Sequence, residues 1–247
     1  METRLPDDCG CTPRAGSVNS DADRGRIEVI TGPMFAGKTE ELMRRVRRAT
    51  IAGLRVLVVN HALDDRRGAS LVSSHAGGAI PATSVSEAAE LHALVDDPGR
   101  SDRTGAGRFS PDTGPCGSAA STVPSLDLLA IDEAQFFGAD LVPVVVELAD
   151  RGVTVVVSGL CLTFDDQTFE PLPALMASAE SATKLLAVCA ACGADAAFHR
   201  RVHGHSEARA PGIGFQTAGA DVGNSLVAAT EHVGGAEQYQ ARCRRHR

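Results

Sequence analysis

Apolar residues in this chain fall in short unbroken runs. The runs at 26–31 (RIEVIT), 55–60 (RVLVVN), 126–132 (LDLLAID), 153–160 (VTVVVSGL) and 182–189 (ATKLLAVC) are each predicted to form a strand. A strand that is apolar at successive positions is buried on both faces, as in a parallel sheet covered by helices. Between the runs the period changes to that of a helix. Segment 38–53 puts Leu42, Val46 and Ala49 on one face and stops at Gly53. Segment 86–97 reads as a helix capped by Ser86, with an acidic start from Glu87 to Glu90. Segment 139–152 reads as another, with Pro143 in its first turn. The expected class is α/β.

Three segments break this pattern. Residues 1–24 are polar, lack an apolar signal core, and are expected to be a disordered tail outside any secretory signal. Residues 98–125, rich in Gly, Pro and Ser, are expected to be a flexible surface insertion. Residues 189–247 show no comparable strand or helix and are expected to form a small irregular lobe that needs a staple. The predicted organisation is a main domain at 25–188 followed by a lobe at 189–247.

The junction of the first strand and first helix, GPMFAGKT, fits the pattern G-x-x-x-x-G-K-[ST] at Gly32, Gly37, Lys38 and Thr39. Glycines let successive backbone N–H groups turn inward as an anion nest, and the helix adds its own N-terminal amides. Lysine reaches the β- and γ-phosphates, and the threonine hydroxyl faces Mg²⁺. Pro33, Met34, Phe35 and Ala36 complete this loop, so the fold expected is of the P-loop NTPase type. Its partner is IDEAQFF. There Asp132 ends a strand at the edge where the loop also lies, and is expected to hold Mg²⁺. Glu133 follows and can reach a substrate hydroxyl, and Gln135 is grouped with the ATP and Mg²⁺ residues. These motifs imply a nucleoside triphosphate with Mg²⁺ and leave kinase and ATPase both open.

Cys189 and Cys192 form CxxC, and Cys243 and His246 form CxxH. Together they give four ligands of a type suited to tetrahedral Zn²⁺, and a structural zinc is expected there. His199, His203 and His205 are rival ligands, read as solvated loop histidines, and Cys161 is read as packed at a strand end. The total of seven cysteines is odd and unevenly spaced, which points away from a disulfide framework and towards a reducing cytoplasm. The net charge of −7 disfavours nucleic acid as a partner, and no apolar run of membrane-spanning length occurs. There is no Trp and a single Tyr, Tyr239. The arginines at 44, 45, 47 and 48 read as a solvated or inter-subunit helix face.

With these residues assembled, the chain resembles the type II thymidine kinases. The resemblance rests on GPMFAGKTEELMRRVRRATIAG, VLVVNHALDDRR, IDEAQFF, TKLLAVCAAC and VGGAEQYQARCRRH, in the family's order, over about 26–96 and 126–247. It implies transfer of phosphate from ATP to thymidine, a homotetramer, and a zinc-stapled lobe. From that lobe a lasso closes over the nucleoside, here 230–239, through Thr230, Glu231, His232, Val233, Gly234 and Tyr239. Phe164 and Phe169 match aromatic positions near the substrate, and Asp64, Asp65 and Arg66 match a segment near the phosphates. Two positions depart from the family: Cys161 stands where aspartate is usual, and Asp165 stands where a basic residue is usual. The alternatives are a P-loop ATPase whose Glu133 activates water, a kinase of altered nucleoside specificity, and a zinc-bearing binding module.

Overall fold

Every strand of the central sheet runs in the same direction. The computed structural model describes residues 25–63, 71–73, 78–97, 126–202 and 238–247. In chain order these form β1 (Arg26–Thr31), α1 (Lys38–Ile51), β2 (Val56–His61), β3 (Leu71–Ser73), β4 (Ala79–Pro81) and β5 (Thr83–Val85). Next come α2 (Glu90–Asp96), β6 (Leu128–Asp132), a 3-10 segment (Ala134–Asp140), α3 (Leu141–Asp150), β7 (Thr154–Gly159) and α4 (Leu172–Ser178). The described part ends with β8 (Ser181–Lys184), β9 (Ala187–Val188), β10 (Asp195–Ala196), β11 (Phe198–Arg201) and β12 (Tyr239–Arg242).

The sheet has six strands in the order β5-β2-β6-β7-β1-β8, and each neighbouring pair is parallel. Both faces are covered, which is why the strands read as continuous apolar runs. Ile27, Val29, Val59, Leu129, Ile131, Val155 and Val157 pack with Leu91 of α2, Leu141, Val145 and Leu148 of α3, and Leu172 and Leu175 of α4. The alternate positions, Ile30, Val58, Leu128, Ala130 and Val156, meet Leu42, Met43, Val46 and Ala49 of α1 on the other face. Each fully buried aliphatic side chain contributes roughly 1.5–3 kcal/mol by leaving water. Parallel pairing brings the carboxyl ends of β1, β2, β6 and β7 to one edge. There Thr31 donates its hydroxyl to the Gly159 carbonyl at 3.1 Å, and Leu185 N–H donates to Thr31 O at 2.7 Å.

Several expectations are corrected. The run 182–189 is two strands: β8 closes the central sheet, while β9 pairs with β10. The chain leaves the sheet at the exposed Leu186 and re-enters a small sheet at Ala187. The C-terminal region is not without strands, because β11 and β12 pair antiparallel from Phe198↔Arg242 to Arg201↔Tyr239. The helix expected from Ser86 begins at Glu90. Glu90 instead turns its carboxylate back to accept the Ser86 and Glu87 amides at 3.0 and 2.9 Å. Helix α4 and strands β3, β4 and β5 are too short to carry a readable period. The insertion at 98–125 lies outside the described residues.

Candidate active site

The loop after β1 is shaped by residues that tolerate unusual backbone angles. Gly37 and Phe35 adopt φ of 79° and 67°, in the left-handed region, and Gly32 has φ of 154°. At Gly32 a side chain is excluded by its neighbours, since a Cβ would sit 2.5 Å from the Leu185 carbonyl oxygen. Gly37 is the N-cap of α1, so the loop ends where the helix presents its first N–H groups. Lys38 is buried, and its ammonium donates to the Pro33 carbonyl at 3.0 Å, inside the loop. A lysine folded onto this loop and a turn of N–H groups ahead of a helix form an anion cradle.

Asp132, at the end of β6, meets that cradle directly. Thr39 donates its hydroxyl to Asp132 Oδ2 at 3.1 Å. Burial pushes the Asp132 carboxyl up to about 7, and the adjacent Glu133 charge adds to the rise. A buried carboxylate beside a hydroxyl, at an anion cradle, is a donor set suited to Mg²⁺. Glu133 follows in the left-handed region with φ of 49°. Gln135, also buried, donates from Nε2 to Glu133 Oε2 at 2.5 Å. Its Oε1 accepts the Leu160 amide at 3.0 Å. Gln135 therefore links the acidic turn to the end of β7.

A second cluster joins this edge to the C-terminal strands. Met34 of the loop, Phe136, Leu160, Phe169 and Tyr239 are buried together, with Phe164 packed against them. Phe164 and Tyr239 have ring centroids 6.2 Å apart, tilted by 41°. Phe164 sits at the tip of a strap from Cys161 to Phe169. The strap is closed by Phe169 N–H to Cys161 O at 3.1 Å and Thr163 N–H to Gln167 O at 2.9 Å. In this strap the Thr163 hydroxyl donates to Asp165. Cys161 is buried in the main core, as expected.

The four ligand atoms of Cys189, Cys192, Cys243 and His246 lie within 4.8 Å of one another. Cys243 Sγ to His246 Nδ1 is 3.2 Å, Cys192 Sγ to Cys243 Sγ is 3.7 Å, and Cys189 Sγ to His246 Nδ1 is 3.8 Å. Bonds of about 2.0–2.3 Å to a central Zn²⁺ produce tetrahedral edges of about 3.3–3.8 Å, so the set fits the ion. Burial raises the Cys189 thiol, but amide donors from Cys243, Ala191 and Cys192 outweigh it and hold the group at about 6. A thiolate is thus present at neutral pH to take a metal.

The structure brings Gly32, Pro33, Met34, Phe35, Ala36, Gly37, Lys38, Thr39, Asp132, Glu133 and Gln135 to one sheet edge. Phe164, Phe169 and Tyr239 lie beside them. Asp64, Asp65, Arg66, Thr230, Glu231, His232, Val233 and Gly234 lie outside the described residues. Two residues of the site were not singled out correctly from sequence. His199 is buried on β11 with its ring 6.0 Å from Tyr239, where a solvated histidine was expected. Arg200, beside it, bonds the strap at Asp166. The only sequence signal was the short segment FHRR, too brief to show a period.

The family model described as thymidine kinase matches residues 25–101 and 118–247. A thymidine kinase from Deinococcus deserti is 40% identical over 222 residues, covering 90% of this chain and 94% of that one. One from Deinococcus radiodurans is 44% identical over 186 residues, covering 75% and 79%. One from Haloquadratum walsbyi is 41% identical over 226 residues, covering 89% and 93%.

Proposed function

The chain belongs to the thymidine kinase family, a family of transferases, and from that premise we propose how its residues move the γ-phosphate of ATP to the 5′-hydroxyl of thymidine. The products are thymidine 5′-monophosphate and ADP, a route that salvages a precursor for DNA synthesis. One observation carries this reading: Thr39 of the phosphate loop and Asp132 of the acidic turn are in contact at 3.1 Å. Donor-phosphate binding and the carboxylate Glu133 therefore share one edge.

The backbone N–H groups of the 32–39 loop, Pro33 excepted, and Lys38 hold the phosphate chain and face the charge that develops in transfer. Thr39 and Asp132 would hold Mg²⁺, which when bound neutralises phosphate charge. Glu133 accepts the proton of the 5′-hydroxyl as that oxygen attacks in line. Gln135 fixes the orientation of the carboxylate through Oε2. Phe164, Phe169 and Tyr239 face the nucleoside, and the family resemblance assigns Thr230, Glu231, His232, Val233 and Gly234 to the nucleoside as well and Arg66 to the transferred group. Cys189, Cys192, Cys243 and His246 would hold a structural Zn²⁺; four protein ligands leave no open position for catalysis.

The wider proposals are a main domain at 25–188, a zinc lobe at 189–247, a homotetramer, and a cytoplasmic place of work. The family resemblance supports the tetramer, and the thiol cluster, which needs reduced cysteines, supports the compartment. ADP release measured with and without thymidine tests the activity. Release that depends on thymidine is the expected result; equal release in its absence means water is the acceptor and contradicts it.

A further inference from the structure

The strap at 161–169 is gripped from outside by one arginine. Arg200 Nη1 donates to the Phe164 carbonyl at 2.7 Å. The same nitrogen reaches Asp166 Oδ1 at 3.0 Å, and Nη2 reaches Asp166 Oδ2 at 2.6 Å. Nη1 also lies 3.0 Å from the carbonyl of His199 on its own strand. Asp166 takes a left-handed φ of 68°, which turns its carboxylate outward to meet the guanidinium. Arg247 stands 3.6 Å from the same Oδ2 and reinforces the charge.

Arg200 lies on β11, whose partner β12 carries Tyr239 and runs directly into Cys243. Phe164 is thereby held twice from a single two-stranded sheet. Tyr239 meets its ring at 6.2 Å, and Arg200 holds its carbonyl. Side chains of the pair are about a quarter to a third exposed, 26% for Arg200 and 31% for Asp166. An ion pair so open to solvent adds little to global stability. A planar fork that binds a carboxylate and a carbonyl together does fix geometry, which a lysine cannot copy.

We propose that Arg200, braced by Asp166, is a positioning residue for nucleoside binding: it sets where Phe164 stands relative to Tyr239. The proposal rests on the reading of Phe164 and Tyr239 as the nucleoside surface. The negative charge at Asp166 docks the strap onto β11.

The test uses the full zinc-loaded chain and compares F164A, R200A, R200K, D166N and the double variant D166N/R200A. Thymidine KM, ATP KM, zinc content and the emission of the sole tyrosine, Tyr239, are measured for each. In R200A, loss of a charge-assisted bond to the strap raises thymidine KM about tenfold, while ATP KM stays within about twofold. R200K fails to restore the parent value. D166N raises thymidine KM less, and the double variant is no worse than R200A, because both changes remove one contact set. Melting temperature shifts by about 2 °C or less. A thymidine KM within twofold of the parent in zinc-replete R200A, with F164A impaired, overturns the proposal. If R200A does not fold, a D166N thymidine KM equal to the parent's overturns it instead. An F164A variant with unchanged thymidine KM overturns the nucleoside surface itself, and the clamp with it.

Discussion

Gln135 holds Glu133 by one end and the β7 terminus by the other. Its Nε2 donates to Glu133 Oε2 at 2.5 Å, and its Oε1 accepts the Leu160 amide at 3.0 Å. A carboxylate acting as base must keep its geometry while the acceptor oxygen attacks, and a fixed amide provides that constraint. Removing the base and removing its support should therefore differ. Glu133→Gln lowers kcat by about 10²–10⁴ with ATP affinity nearly unchanged. Gln135→Ala lowers kcat by about 10–100-fold, since the carboxylate remains but wanders. Steady-state kinetics with parallel ATP titration decides both. Near-normal turnover in Glu133→Gln would rule out its assignment as base.

The same support can be disturbed without touching it. A Cβ on Gly159 would lie 2.6 Å from Gln135 Oε1 and 2.9 Å from Leu172 Cδ2. Gly159→Ala must push the amide or the helix aside, at a cost of about 1–3 kcal/mol in stability. Its kcat falls while ATP binding is retained. Denaturant melts and kinetics on one preparation check this. A variant as stable and as active as the parent contradicts this close packing.

Asp132 makes the chain sensitive to pH. Its carboxyl is raised from its ordinary value of 3.8 to about 7, chiefly by burial and then by the Glu133 charge. A group whose folded value exceeds its unfolded one favours the fold most below the unfolded value. That contribution is lost as pH rises from about 4 to about 7. Between pH 5 and 8 without Mg²⁺, the melting temperature of the parent should fall relative to that of Asp132→Asn. Proton and Mg²⁺ compete for the carboxylate, so apparent Mg²⁺ affinity should rise up to about pH 7 and then level off. Parallel melting profiles for the two proteins would contradict this.

Much of this was legible in the sequence where the physics is local. Strands buried on both faces reveal themselves as unbroken apolar runs, and RIEVIT and LDLLAID became β1 and β6 within two residues. The phosphate loop was readable because its glycines answer backbone requirements that no other residue meets cheaply. The four thiol and imidazole ligands were readable because their chemistry does not depend on the fold. What escaped depends on contacts distant in sequence. Arg200 and Asp166 are 34 positions apart, and neither has a neighbour pattern that announces the other. His199 reads as solvated because FHRR buries two successive residues, Phe198 and His199, and then opens to solvent, so no alternation marks it. The run 182–189 reads as one strand because nothing in its composition marks where it leaves the sheet.

Metal removal tests the C-terminal staple. Cys189→Ser removes one of the four ligands, so it should bind Zn²⁺ more than about 100-fold more weakly and loosen β9 to β12, including Tyr239. Thymidine KM should rise, and the emission of Tyr239 should shift as it leaves its buried place. Metal analysis with kinetics is sufficient. A zinc-free variant with the parent's thymidine KM would refute the staple.

The most direct test of the central claim follows the γ-phosphate itself. Purified, zinc-loaded protein is given γ-labelled ATP, Mg²⁺ and a panel of nucleosides, and the products are separated. Label on the 5′-oxygen of thymidine, absent without Mg²⁺ and formed about 10²–10⁴ times more slowly in Glu133→Gln, is the predicted result. Labelled inorganic phosphate from ATP, with no nucleoside labelled, would contradict it.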